Sequence, residues 1–273
     1  MLNIIKEVLS WRNLISELVI KDLKVRYSRP MLGFIWFFLS PFLTVLIFYI
    51  VFSLILKVKT EEAPFLLYIM SAIFPWRFFQ ESIITSATSL MDNKNLIKES
   101  NFPHFLIPIS INLANAIIFL PALIILIIIS SFILKGIPIL IVFLPIVLII
   151  HLIMTMGLSI ISSIFYVRWR DIKYILEILL LLFLYLTPAF YSINLVKASF
   201  TPLLFKFYIY NPLVCILNLY RIMFFKGFHQ FIGKDISLLA LILIPAVFAF
   251  VVLLLSLYIY TKKRKSLNDY LSY

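Results

Sequence analysis

Apolar residues along this chain are concentrated in six long runs, and each run reaches the ~20 residues that an α-helix needs to cross a bilayer. The runs lie at about residues 31–56, 64–88, 105–134, 138–165, 174–193 and 237–260. Prolines inside several runs are tolerated in membranes where neighbouring helices satisfy the freed carbonyl groups. The pattern predicts an all-α membrane protein in which residues 31–260 form one transmembrane domain of six transmembrane helices.

Residues 1–30 follow a different pattern. Their polar residues recur every three or four positions and therefore share one face of a helix: Asn3, Lys6, Ser10, Asn13, Glu17, Lys21 and Lys24. A basic amphipathic helix that carries a tryptophan, here Trp11, is typical of a segment lying in the membrane interface. We therefore predict a cytoplasmic N-terminal amphipathic interface helix over residues 1–30, and not a secretory signal peptide.

The connection at about residues 194–236 contains two apolar segments that are each too short to span a bilayer. They are Phe200–Tyr210 and Pro212–Phe225, and the dipeptide Asn211-Pro212 between them is a turn signal. This arrangement favours a re-entrant helical hairpin before the last span, entering from the outer face, over two helices lying on the outer surface. We expect Arg221 and Lys226, near its end, to return to that surface.

The composition agrees with a membrane protein and excludes several other classes. Hydrophobic residues make up 63% of the chain and charged residues 13%, against about 45–50% and about 25% in soluble domains. The net charge of +12 comes mostly from basic residues beside apolar runs, as in membrane-flanking segments, so binding of nucleic acid is not indicated. The chain lacks the GxxxxGK[ST] motif, so it is not by itself a P-loop ATPase.

Basic residues also predict the topology. Fifteen Lys and Arg residues occur in the N-terminal segment, the loops after the second and fourth runs, and the basic tail at 261–273. The opposite short loops contain three, Lys57, Lys59 and Lys135. Because positive residues are enriched on the cytoplasmic side, both termini are expected to be cytoplasmic.

A few polar and aromatic residues inside the runs are candidates for function. Arg77 and Glu81 are four residues apart and share a helical face, so they either line a hydrophilic conduit or pair with each other. The lone His151 is expected to be a buried, hydrogen-bonded residue. Five aromatic residues are candidates either for stacking on sugar rings or for interfacial belts: Trp36, Trp76, Tyr185, Phe190 and Tyr191.

No pair of Asp or Glu residues repeats across the runs, which argues against a channel or an ion-coupled carrier. They also contain no catalytic cluster of the kind that a polytopic lipid-linked glycosyl-transfer enzyme needs.

Several motifs, in order from about residue 21 to residue 227, resemble the permeases of polysaccharide-export ABC transporters. The first is Lys21-Asp-Leu-Lys-Val-Arg-Tyr-Ser-Arg-Pro-Met-Leu-Gly-Phe-Ile-Trp36, followed by Ser40-Pro41. The others are Phe74-Pro-Trp-Arg-Phe-Phe79, Asn95-Leu-Ile-Lys98, Asn101-Phe-Pro103, Leu106-Ile-Pro108, Arg170-Asp171, Leu186-Thr-Pro-Ala-Phe-Tyr191, Tyr210-Asn-Pro-Leu213 and Tyr220-Arg221. The chain departs from the pattern at Lys98-Glu99-Ser100, where a more basic run is expected, and at His104, where arginine is expected.

The resemblance implies a bacterial inner-membrane, multi-pass protein that pairs with a second copy of itself and with two ABC nucleotide-binding subunits. ATP and Mg²⁺ would bind those subunits, so no cofactor is expected in this chain. The implied substrate is a polysaccharide linked to undecaprenyl diphosphate, such as O-antigen or teichoic acid. The alternatives are an ABC exporter permease for lipids or drugs and, less in keeping with the residues, the glycosyl-transfer enzyme.

The resemblance also assigns roles to residues. The ATPase-coupling residues would be Asn95, Leu96, Ile97, Lys98, Glu99, Phe102, Arg168, Arg170 and Asp171. Lys24, Arg26 and Arg29 would receive the substrate headgroup at the inner leaflet. The tunnel or gate candidates are Trp36, Trp76, Arg77, Glu81, Tyr185, Phe190, Tyr191, Asn211, Tyr220 and Arg221.

Overall fold

A computed structural model describes residues 10–27, 35–58, 60, 63–99, 102–136 and 138–272, and no strand occurs among them. Its α-helices, in chain order, are α1 (Arg12–Tyr27), α2 (Trp36–Phe48), α3 (Phe65–Asp92), α4 (Lys94–Glu99), α5 (Leu106–Ile133), α6 (Leu144–Arg168), α7 (Ile172–Leu186), α8 (Ile193–Ser199), α9 (Pro202–Ile209), α10 (Pro212–Phe224), α11 (Phe228–Ile232) and α12 (Leu238–Ser272). A π-helical segment, Tyr49–Ile55, continues α2, and a 3₁₀ turn, Ile139–Phe143, precedes α6. Arg29 and the first nine residues of the predicted interface helix lie outside the described residues.

Each of the six apolar runs contains a helix, which confirms the all-helical class. Three described helices are long and apolar enough to cross a membrane, namely Leu106–Ile133, Ile139–Arg168 and Leu238–Arg264. Helix α3 has 28 residues but includes Arg77 and Glu81, α7 has 15 residues, and the apolar helix Leu39–Ile55 is also short. The count of six spans therefore stays a prediction.

Helix α1 has the two faces that the pattern predicts. Ile15, Leu18 and Val19 are buried, whereas Glu17 and Lys21 are exposed. The helix packs mainly along α5. Burial of one apolar face against the protein agrees with an amphipathic helix, and its place in the membrane interface stays a prediction.

Helix α6 occupies the centre of the bundle. It packs most extensively against α12 and α3, and α3 also packs along α5. At Gly157 of α6, a Cβ atom would lie 2.8 Å from the backbone nitrogen of Leu253 in α12. A glycine is therefore needed for this close approach, as is common where membrane helices cross.

One buried cluster brings together four segments that are far apart in the sequence. It contains Ile15 of α1, Ile97 of α4, Val167 at the end of α6 and Leu267 near the end of α12. These segments are the ones that the positive-residue pattern assigns to the cytoplasm. They meet at one end of the molecule, which we call the α1 end.

Helices α9 and α10 meet at a bend of 70°. The Asn211 side chain caps α10 by accepting a hydrogen bond from the Leu213 backbone N–H at 2.9 Å, as expected of a helix N-cap. Helix α10 is buried from Val214 to Phe224, while most of α9 is exposed. The two short helices agree with the predicted hairpin, and burial of α10 disagrees with two helices lying on a surface. Entry of the hairpin into the membrane stays a prediction.

The expectation that Arg221 returns to the surface is wrong, because its side chain is 0% exposed. Its Nη2 donates to the Pro188 carbonyl oxygen, and its guanidinium carbon lies 3.7 Å from the centre of the Tyr68 ring. A carbonyl and an aromatic face thus take the place of water around the charge. Lys226 is exposed. Its Nζ donates at 3.1 Å to the carbonyl oxygen of Leu134, the residue that follows α5.

Candidate functional site

A cavity of about 220 Å³ lies between helices α1, α2, α3 and α5. Its polar lining comes from Arg26, Ser40, Arg77, Glu81 and Asn115. Trp36, which is 40% exposed, adds an aromatic face at the start of α2. The structure thus brings together one residue predicted to receive the headgroup and three tunnel candidates.

Three helices hold Arg26 in place. Its Nε lies 2.8 Å from Oδ2 of Asp22 one turn earlier, and its Nη1 donates to Oδ1 of Asn115 at 2.8 Å. Asn115 in turn donates to the Thr85 hydroxyl of α3 at 3.2 Å. Burial raises the pKa of Asp22, and the neighbouring Arg26 opposes that rise. The guanidinium is therefore positioned by fixed polar groups before any ligand arrives.

Arg77 is held by hydroxyl groups and not by the carboxylate one turn away. Its Nη1 donates to Oγ1 of Thr44 at 2.8 Å, and its Nη2 donates to Oγ of Ser40 at 3.1 Å. Between the described side chains of Arg77 and Glu81 there is no ion pair, although both line the cavity. Hydroxyl oxygens satisfy the N–H groups without neutralising the charge, so the Arg77 guanidinium retains an attraction for an anion, beside the Glu81 carboxylate that lines the same cavity.

A second cavity, of about 430 Å³, lies between α1, α3 and α5. Arg26 lines both cavities. Lys21 donates to Oδ1 of Asn93 at 2.7 Å and so ties α1 to the end of α3. Lys24 is exposed and lines neither cavity. Of the two described residues predicted to receive a headgroup, Lys24 and Arg26, Arg26 is the one that the structure places in a built site.

The other aromatic gate candidates divide into buried and exposed groups. Trp76 is buried, and its indole N–H donates to Oε1 of Gln80 at 3.1 Å. Phe190 is buried and stacks on Phe52 with 5.0 Å between ring centres. Tyr185 is exposed, and the hydroxyl of the half-buried Tyr191 donates to its carbonyl oxygen at 2.9 Å. Within this chain Tyr185 is thus the most accessible of these rings.

The candidates in α10 belong to the interior. The Tyr220 hydroxyl lies 3.1 Å from Nδ1 of His151, and both side chains are buried. This contact confirms the expectation of a buried, hydrogen-bonded His151. The Tyr68 hydroxyl donates to the Tyr191 carbonyl oxygen at 2.8 Å, so Tyr68 and Arg221 together join α3, α10 and the segment after α7.

The predicted coupling residues also divide by exposure. In α4, Asn95, Lys98 and Glu99 are exposed and Leu96 is half-buried. Ile97 and Phe102 are buried in the α1-end cluster. These two side chains hold the segment in place, while the exposed ones are available to a partner.

The loop after α6 presents a charged and aromatic surface at the same end. Arg168, Arg170 and Asp171 are exposed there. Trp169 is 49% exposed, with the Arg168 guanidinium 4.9 Å from its ring centre and Phe165 stacked on it. Trp169 is not among the residues predicted above from the sequence, although an aromatic residue between two arginines in a short loop is a usable signal for an interface.

Comparison with known proteins identifies the group to which this bundle belongs. Residues 13–225 match the family described as ABC-2 type transporter. The O-antigen export system permease protein RfbA of Myxococcus xanthus is 28% identical over 230 residues, which cover 83% of this chain and 85% of that protein. A protein of the same name from Klebsiella pneumoniae is 30% identical over 222 residues, or 76% of this chain and 78% of that protein. The chain therefore belongs to the ABC-2 type transporter family, with the permeases of polysaccharide export, and is a membrane transport subunit and not an enzyme.

Proposed function

We propose that this chain is the permease of an ATP-driven exporter that moves an undecaprenyl-diphosphate-linked polysaccharide, O-antigen or a similar cell-surface glycan. Transport runs from the cytoplasmic to the outer side of a bacterial inner membrane. The complex contains two copies of the permease and two nucleotide-binding subunits, which hold ATP and Mg²⁺. The observation that carries the proposal is the cavity shared by Arg26 and Arg77 beside the exposed Trp36.

The chemistry of this cavity suits a diphosphate joined to a sugar. Arginine presents several N–H donors in a planar fork that matches phosphate oxygens. The Arg77 charge is not neutralised by its hydroxyl partners, so a diphosphate gains more from the site than a neutral lipid does. The Trp36 ring offers a flat face to the apolar C–H surface of a sugar.

The arrangement of the two ends supports the proposed orientation. The four segments rich in Lys and Arg meet at the α1 end, which places the cavity near the cytoplasmic leaflet if both termini are cytoplasmic. The six helices at the apolar runs would then be the spans. The α9–α10 hairpin would lie at the outer face, where it serves as the gate.

Coupling to ATP hydrolysis would use the exposed residues at the α1 end. Binding of ATP closes the nucleotide-binding subunits, which contact α4 through Asn95, Lys98 and Glu99 and the loop at 168–171. Because Ile97 and Val167 belong to one buried cluster, movement of either contact is passed into α3, α6 and α12. A tunnel then opens between the two permeases, and the glycan passes through it.

The test is a reversal of charge at the inner leaflet. Arg26→Glu combined with Arg29→Glu should lower the amount of surface polysaccharide at least about tenfold, because a charge-assisted contact with the diphosphate becomes a repulsion. Lys234→Glu, an exposed reversal at the opposite end, is the matched control and should leave export unchanged. The measurement is surface polysaccharide per permease in the membrane.

Unchanged export by the double variant at a normal membrane level would reject the role of these arginines. A strain without the permease should accumulate lipid-linked polysaccharide in the cytoplasmic leaflet. If no such glycan accumulates, the cargo is a different lipid or a drug.

A further inference from the structure

An apolar groove of about 550 Å³ lies between α1, α5 and α6, next to the cavity of Arg26 and Arg77. Its floor includes Ile117 of α5, which is 42% exposed, and Ile149 of α6, which is 56% exposed. On α1 the groove extends from Arg12 to Leu23, a length of about 16 Å at the rise of an α-helix. It is therefore an elongated apolar surface, as a site for a hydrocarbon chain must be.

The groove and the charged cavity are neighbours that share lining residues. Leu23 of α1 lines the groove, and Arg26, three residues later and hence at the adjacent position of the same helical face, lines the cavity. Phe78 and Phe119 line both spaces. Their rings stack with 5.2 Å between centres and 7° between planes, so the two spaces share one rigid wall.

Exposed apolar side chains occur on many helices of this chain, so exposure alone does not single out the groove. The groove is singled out by its contact with the cavity that attracts an anion, because one molecule with a charged head and an apolar tail would fill both spaces. The charge that the Arg77 hydroxyl partners leave in place selects an anionic head. The apolar lining of the groove selects a tail without polar groups.

We infer that the cavity and the groove form one site for a polyprenyl diphosphate, an assignment that rests on the proposed function. The diphosphate lies between Arg26 and Arg77, and the first isoprene units lie in the groove along α1. The Phe78–Phe119 pair separates the head from the tail. Arg77 is thus a second ligand for the diphosphate, and α1 recognises the tail as well as the head.

The experiment measures binding by the purified complex of permease and nucleotide-binding subunits in nanodiscs. Two probes are used, undecaprenyl diphosphate, which has head and tail, and inorganic pyrophosphate, which has the head alone. Ile117→Trp fills the groove, and Ile124→Trp is the matched control because Ile124 is 55% exposed, lies two turns further along α5 and does not line the groove. Arg77→Gln removes the charge in the cavity.

Ile117→Trp should weaken binding of undecaprenyl diphosphate about tenfold and leave binding of pyrophosphate unchanged, since only the tail loses its place. Arg77→Gln should weaken binding of both probes about tenfold. Ile124→Trp should alter neither, which shows that an added indole ring does not by itself disturb the complex.

Equal binding of undecaprenyl diphosphate by the Ile117→Trp and Ile124→Trp complexes would contradict the assignment of the groove to the lipid tail, but not the proposed function. A wild-type complex that binds no undecaprenyl diphosphate would contradict both this assignment and the proposed function. Unchanged binding of both probes by Arg77→Gln would remove Arg77 from the site.

Discussion

His104 occupies a position where the related permeases lead one to expect arginine, and its surroundings explain how a different residue is accommodated. Its side chain is buried, its ring meets that of Phe102 edge-on, and its backbone N–H donates to the Tyr260 hydroxyl at 3.0 Å. Burial lowers the pKa of His104, and the nearby positive charge of Arg264 lowers it further. His104 is therefore neutral in the folded protein at neutral pH.

This shift predicts a dependence of stability on pH. The unfolded chain binds a proton at His104 near the ordinary pKa of about 6.5, whereas the folded chain does so at a lower pH. The contribution to stability is thus fully present above pH ~6.5 and is lost as the pH falls toward the folded pKa. The unfolding temperature of the complex should fall between pH 7.5 and pH 5.5, and His104→Gln should make that fall smaller.

The measurement is thermal unfolding of the detergent-solubilised complex at several pH values. Relative to its own value at pH 7.5, the unfolding temperature of wild type should fall further by pH 5.5 than that of His104→Gln. Parallel curves for the two proteins would show that His104 does not titrate differently in the folded state.

Arg77 shows which part of a residue's environment can be predicted from the sequence. Spacing along a helix correctly places Arg77 and Glu81 on one face and in one cavity. The hydrogen-bond partners of Arg77, Thr44 and Ser40, are 33 and 37 residues away in the chain. Helical periodicity says nothing about which neighbouring helix supplies a partner, so these contacts required the packed structure.

At the scale of elements, α12 does more than cross the membrane. It has 35 residues, or about 52 Å of helix, against about 30 Å of bilayer core. The excess reaches the α1 end, where Tyr260 accepts a hydrogen bond from His104 and Leu267 is 3% exposed. Helix α12 also packs directly on α4. Its last turns therefore hold the segment that we propose contacts the nucleotide-binding subunit.

Leu267→Ala should weaken this connection. Removing a buried leucine side chain typically costs about 2–5 kcal/mol, here at the contact between α12 and the cluster that contains Ile97. Stimulation of ATP hydrolysis by the lipid-linked substrate should fall, while basal hydrolysis stays near the wild-type rate. ATPase assays of the assembled complex with and without substrate measure this ratio.

Tyr270→Ala is the matched control for that variant, because Tyr270 lies on the same extension and is 49% exposed. It should leave the stimulated rate unchanged. Equal stimulation in the Leu267→Ala complex would show that the end of α12 does not take part in coupling.

The positions of the helices in the sequence were more predictable than the contacts between the helices. Long apolar runs and a turn signal at Asn211-Pro212 suffice to place the main helices and the break before α10, since both depend on local sequence. The place of Arg221 against Tyr68 and the docking of Leu267 near Ile97 depend on residues more than 100 positions apart. The burial of α10 depends on its packing against α12 and α3, which are separate helices. No local pattern encodes such contacts, and this is also why the expected return of Arg221 to the surface was wrong.

At the scale of the whole molecule, two independent observations group the same four segments together. The distribution of Lys and Arg assigns the N-terminal segment, two loops and the C-terminal tail to one side, and the buried cluster brings these four segments to one end. A wrong count of membrane crossings would scatter them between two ends. The agreement supports an even number of spans and predicts the side of each loop.

Labelling with a membrane-impermeant maleimide tests this topology, because the chain contains a single cysteine, Cys215, which is 0% exposed. In a Cys215→Ala background, Lys98→Cys at the α1 end should react only after the membrane is permeabilised. Lys206→Cys on α9 and Lys234→Cys before α12 should react from the outer side in intact spheroplasts, since all three lysines are exposed. The wild-type chain should react slowly from either side, because its thiol is enclosed by protein. Labelling of Lys98→Cys and Lys234→Cys from the same side would contradict the three spans predicted between these two positions. Labelling of Lys206→Cys from the cytoplasm would instead move the hairpin, and the gate proposed for it, to the inner face.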